Sequence, residues 1–131
     1  MRNSGIGFIG LGQMGLGMAN NLAKIAAPFY AYDAVSSAAD QLDGDDIIIA
    51  STLGNLAANC HLIFLCLPSA KEVNEVIFGA GGIAESAQGD LAIIDTSTID
   101  RLEAIAIHDQ LAGRGIAYAD CPISGLPFRA T

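Results

Sequence analysis

Basic residues are scarce in this chain: six Lys and Arg stand against fourteen Asp and Glu, for a formal net charge of −8. Without a basic stripe nothing can neutralise a phosphate backbone, which argues against nucleic acid as a partner. Tryptophan is absent, and Cys60, Cys66 and Cys121 fall at no metal-ligand spacing, so no metal site is assigned. Such sparing cysteine use fits a reduced, cytoplasmic setting. No apolar run approaches the roughly 18 residues that a membrane span needs. The first residues lack the basic, apolar and small-residue succession of a secretion signal, and none is expected. Charge is low altogether, at 15% of residues against 52% apolar, which excludes a disordered tail and suits a largely buried sheet. At 131 residues the chain is expected to form one domain over its whole length, 1–131.

What is present is an alternation of short apolar runs with helical patterns. Residues 5–10 (GIGFIG) read as a buried strand, and Met14, Met18, Leu22 and Ile25 then recur at helical spacing up to Pro28. Strands are expected at 29–32, 47–49, 62–67, 91–94 and 116–119. Helices are expected at 35–42, from Leu53 to Cys60, at 70–78 and at 100–112, with Ser51 or Thr52 capping the second of these and Ser97 or Thr98 the last. Cys66 lies inside the apolar run LIFLCL and reads as a small core residue. Strands that alternate with helices imply an α/β domain with a parallel sheet covered on both faces. Right-handed crossovers make it doubly wound, with six strands in the order 3-2-1-4-5-6.

Ligands of such sheets lie beyond the carboxyl ends of the strands. Gly10-Leu11-Gly12-Gln13-Met14-Gly15 follows the first strand, and Asp33 ends the second, 23 residues beyond Gly10. A strand, a G-x-G-x-x-G turn, a helix and a distal acid together form the context of dinucleotide binding. Gly10 allows the tight turn, Gly12 lets the backbone approach a pyrophosphate, and Gly15 lets helix and strand pack closely. The helix start adds free amides and partial positive charge. A carboxylate at Asp33 accepts from the adenosine ribose and repels a 2′-phosphate, and no Arg or Lys occurs between Asp33 and Lys71, so NAD is favoured over NADP. Leu67-Pro68 offers a rigid turn poor in donors. His61, His108, Lys24 and Lys71 read as structural or surface residues, and no catalytic base is assigned.

Four motifs in order resemble the N-terminal cofactor domain of the β-hydroxyacid dehydrogenases, the family of 3-hydroxyisobutyrate dehydrogenase, tartronate semialdehyde reductase and 6-phosphogluconate dehydrogenase. They are GFIGLGQMGLGMANNLAK, CLPSAKEVNEVIFGAGGI, IIDTSTID and DCPISG. The resemblance implies a Rossmann domain whose Gly10, Leu11, Gly12, Gln13, Met14 and Gly15 hold the diphosphate. It places Asp33 on the ribose, Leu67 and Pro68 at the nicotinamide, and Thr98 at cofactor or substrate. Ser124 and Gly125 would bind the substrate carboxylate. The implied reaction moves a hydride between the nicotinamide and a 3-hydroxy acid or its semialdehyde.

Two departures are local: Ala26-Ala27-Pro28 stands where the family has a glycine, and Leu126 replaces a second glycine after Gly125. A third is larger, because the family's catalytic lysine and its all-helical second domain are not found in these 131 residues. The chain is therefore expected to be a truncated cofactor domain, inactive alone, whose uncovered apolar surface near residues 120–131 favours a homo-oligomer. A stand-alone dinucleotide-binding sensing or scaffold module is the alternative. S-adenosylmethionine at the same turn is a weaker rival, since Gly15 suits close packing beneath a diphosphate.

Overall fold

In a computed structural model, residues 4–26, 28–44, 46–87 and 89–123 are described. Six strands form one sheet: β1 (Gly5–Ile9), β2 (Phe29–Tyr32), β3 (Ile47–Ile49), β4 (Cys60–Leu65), β5 (Ala92–Asp95) and β6 (Ala117–Asp120). Their order is β3-β2-β1-β4-β5-β6, and every neighbouring pair is parallel. Five helices connect them: α1 (Gln13–Ala23), α2 (Leu53–Asn59), α3 (Ala70–Phe78), α4 (Ile83–Ser86) and α5 (Arg101–Ala112). This is the doubly wound Rossmann architecture expected from the alternation.

Side chains of a strand point to opposite faces in turn, and β1 divides its two large residues accordingly. Phe8 packs with Ala19 of α1, Phe29 and Ala31, and its ring stacks on that of Phe64 with centroids 6.2 Å apart. Ile9 joins the larger core on the other face, where Leu56, Ile77, Ile83, Ile107 and Leu111 bring α2, α3, α4 and α5 against Ile63, Leu65 and Ile93. The cover is uneven. On β6, Tyr118 is buried beneath the helices while Ala117 and Ala119 on the opposite face are exposed, so the expectation of full cover on both faces is met only in part.

Several boundaries differ from the pattern-based reading. The segment 35–42 is a 3-10 turn over Ser36–Gln41 rather than an α-helix, although Ala38, Ala39 and Leu42 still pack against the smaller core. α4 is an additional short helix, and Ile83 buries its side chain completely. β4 begins at Cys60 directly from α2, with no turn residue between, and ends at Leu65 rather than at residue 67. Thr52 caps α2, its side chain accepting from the Asn55 amide at 3.0 Å. Asp100, not Ser97 or Thr98, occupies the cap position of α5. Among the described residues no helix is long and apolar enough to cross a membrane.

Candidate functional site

Where β1 ends, the backbone turns sharply, and the glycines of the following loop differ in what surrounds them. Gly10 adopts φ +102°, and a Cβ there would lie 2.1 Å from the Cys66 carbonyl oxygen. A Cβ on Gly15 would lie 1.9 Å from the Gly10 carbonyl oxygen, so the first turn of α1 sits directly on the loop. Gly12 is the opposite case, exposed and with nothing within 4 Å of its Cβ position. Open space therefore reaches the backbone at Gly12 alone of the three.

That space is a cavity of about 730 Å³ at the carboxyl edge of the sheet. Gly10, Gly12, Gln13, Met14 and Gly15 form its floor; Tyr32, Asp33 and Ala34 stand on one side, Cys66, Leu67 and Pro68 on the other. Glu72, Glu75 and Val76 of α3 close it together with Leu53 and Ile9. The first amides of a helix have no intrahelical partner, and the cap residue Gly12 has no side chain to satisfy them.

Asp33 is braced rather than free. Its Oδ2 accepts from the Leu11 amide at 2.7 Å, and its Oδ1 accepts from the Val35 amide at 2.8 Å. Each carboxylate oxygen keeps a second lone pair for another donor. On α3, Ser69 donates its hydroxyl to the Glu72 carboxylate, and this bond holds the Glu72 carboxyl below the usual range. Among the described residues, Asp33, Glu72 and Glu75 are the ionisable carboxylates of the lining, and none of its residues is a Lys or Arg. Positive potential must come from the helix start.

Of the residues singled out in the sequence, Gly10, Gly12, Gln13, Met14, Gly15, Asp33, Leu67 and Pro68 all meet in this cavity. Leu11 does not line it: its side chain is buried beside Phe8 and its amide serves Asp33. Thr98 is exposed and also outside the lining. Ser124 and Gly125 lie outside the described residues. Cys66, expected in the core, is half-buried and forms part of the cavity wall, with burial pushing its thiol up. His61, His108, Lys24 and Lys71 are exposed.

The sequence reading passed over the α3 wall. Glu72, Glu75 and Val76 recur at helical spacing just after Pro68, and that pattern would have placed one face of α3 over the ligand edge. Ser97 was also passed over in its actual role. Its Oγ accepts from the Leu67 amide at 2.8 Å, a contact between residues thirty apart.

A bare glycine notch, unpartnered helix amides and a cavity of this size at the sheet's carboxyl edge fit a dinucleotide. Comparison decides the family. A family model described as the NAD binding domain of 6-phosphogluconate dehydrogenase matches residues 5–130. The chain belongs to that family. It is thus a Rossmann domain of the dinucleotide-binding type found in 6-phosphogluconate dehydrogenase.

The 2-(hydroxymethyl)glutarate dehydrogenase of Eubacterium barkeri is 33% identical over 120 residues, 92% of this chain and 40% of that protein. Mitochondrial 3-hydroxyisobutyrate dehydrogenase of Mus musculus is likewise 33% identical over 120 residues, 92% of this chain and 36% of that protein. Among solved structures, Psf3 in complex with NADP+ and 2-OPP matches with a TM-score of 0.86 at 26% identity, over 94% of this chain and 44% of that one. The chain spans less than half the length of these proteins.

Proposed function

We propose that this domain binds NAD in preference to NADP and forms the cofactor half of an enzyme acting on a 3-hydroxy acid or its semialdehyde. The observation that carries the reading is the open notch at Gly12 beside the unpartnered amides of Gln13, Met14 and Gly15. Those amides would take the diphosphate, and Leu11 would support them through the bond from its amide to Asp33. The remaining lone pairs of Asp33 would accept from the adenosine ribose. Asp33, Glu72 and Glu75, with no Lys or Arg among the described residues of the lining, make the cavity unfavourable to an added 2′-phosphate.

Leu67 and Pro68 would bound the nicotinamide, and Thr98, Ser124 and Gly125 would stand toward the substrate. When bound, the nicotinamide supplies hydride exchange with a carbinol carbon. This chain's part is binding and orientation, since among the described residues of the cavity lining there is no Lys or His to exchange a proton with the substrate oxygen. The substrate class rests on the relatives named above, and a 1–131 unit that binds without turning over remains part of the proposal.

Titration with NADH and NADPH, followed by nicotinamide fluorescence, tests the reading. The unaltered chain is expected to bind NADH more tightly than NADPH. Asp33→Ala should weaken NADH by about tenfold, the worth of one charge-assisted hydrogen bond, and narrow the gap to NADPH. Asp33→Asn, which keeps an acceptor for the Leu11 amide, separates loss of the ribose contact from collapse of the loop. Unchanged NADH affinity in Asp33→Ala, with NADPH no better, would sink the ribose assignment.

A further inference from the structure

A file of hydrogen bonds runs beneath the cavity, from the edge strand to the wall. Asp95 closes β5 with no exposed surface. Both of its carboxylate oxygens are used: Oδ2 accepts from the Tyr118 hydroxyl at 2.7 Å and Oδ1 from the Ser97 amide at 2.9 Å. Ser97, itself buried, then accepts from the Leu67 amide at 2.8 Å through its Oγ. Leu67 lies beyond the end of β4, where the sheet offers its amide no ladder partner, and Pro68 after it has no N–H at all.

A carboxylate and a phenol inside a core of Ile and Leu are costly unless each finds a partner. Here they satisfy each other, and the file has one outlet toward the ligand, the Leu67 amide. The dinucleotide reading uses none of Asp95, Ser97 or Tyr118. The turn that they hold is also tied on its other side. The Cys66 amide donates to the Ile9 carbonyl at 2.9 Å, and the Cys66 carbonyl abuts Gly10. A shift of Leu67 would therefore reach the glycine loop.

We propose that Asp95 is a positioning residue of the dinucleotide site: by fixing the Ser97 backbone it aims the Ser97 hydroxyl oxygen at the Leu67 amide and so sets where the Leu67–Pro68 wall stands. The ligand arm of the test rests on the dinucleotide reading; the exchange arm does not.

The exchange arm follows amide hydrogen exchange in the full chain without ligand. Asp95→Ala and Ser97→Ala should each lower protection of the Leu67 amide about tenfold, as expected for one lost buried hydrogen bond. Protection of the Cys66 amide should hold. Asp95→Asn, whose one amide oxygen can still accept from the Ser97 amide while its Nδ2 donates to the Tyr118 hydroxyl oxygen, and Ser97→Thr, which keeps the hydroxyl, should restore Leu67. If Asp95→Ala does not fold, the double variant Asp95→Leu/Tyr118→Phe replaces both buried partners with apolar groups and should show the same loss at Leu67.

In the ligand arm, Asp95→Ala and Ser97→Ala should each raise the NADH Kd about tenfold. The two together should do no worse than either, because they break one file. Leu67 protection that survives removal of the Asp95 carboxylate, or NADH losses that add in the double variant, overturns the proposal. A wild-type chain that ignores NADH overturns the dinucleotide reading instead, and the exchange arm still decides the role of Asp95.

Discussion

Gly15→Ala is expected to cost the domain about 3 kcal/mol of stability and about a hundredfold in dinucleotide affinity. The added methyl would stand 1.9 Å from the Gly10 carbonyl oxygen. That neighbour is backbone, so it cannot swing aside as a side-chain tip would. Either α1 lifts from the loop or the loop unwinds, and both movements carry the amides of Gln13 and Met14 away from their common focus. Two charge-assisted amide bonds lost together account for the hundredfold.

Gly12→Ala is the control. Its backbone, at φ −69° and ψ −174°, is ordinary for alanine, and the methyl would meet nothing within 4 Å. Stability should stay within about 0.5 kcal/mol, while affinity falls if the diphosphate rests there. Urea unfolding and NADH titration separate the two variants on this account: both lose affinity, and only Gly15→Ala loses stability. Full affinity in Gly12→Ala would place the phosphates elsewhere.

Alkali should unfold the domain through Cys60. Burial pushes its thiol from the ordinary 9.0 up to about 12. Between those values the unfolded chain has released a proton that the folded chain still holds. Folding must then recapture it, so stability falls as pH rises, by about 1.4 kcal/mol per unit. The contribution is complete below pH 9 and exhausted near pH 12, an upper bound of about 4 kcal/mol. Cys66 acts in the same direction, and Tyr118, raised by burial and by its bond to Asp95, adds to it above pH 10. Urea midpoints from pH 7 to 11 should therefore drop steeply past 9, and Cys60→Ala should flatten the slope. An equal slope in that variant would remove Cys60 from the account.

The strand order was legible because a parallel sheet imposes it: strands of period 2 alternate with helices of period 3.6, and right-handed crossovers leave few arrangements. The glycine loop was legible for a related reason, since Gly10 and Gly15 are needed by local backbone geometry. What escaped depends on distance along the chain. Ser97 looks like a helix cap until β4 and β5 are side by side and the Leu67 amide claims its hydroxyl oxygen. Asp95 looks like a strand-end acid until Tyr118 reaches it from twenty-three residues away. Cys66 has core composition, yet β4 stops at Leu65, and the next residue turns out along the wall. Leu11 was grouped with its loop, although the carboxylate of Asp33 had the nearer claim on its amide.

The placement of β1 has a consequence for synthesis. Its neighbours in the sheet are β2 and β4, so within this sheet the strand made earliest stays half-paired until residue 65 has been made. During that interval one flank of β1 offers unsatisfied amides and carbonyls alongside Phe8 and Ile9, a template for pairing with another nascent chain. Translation speed between β2 and β4 should then govern the yield of correctly folded protein more strongly than speed anywhere after β5.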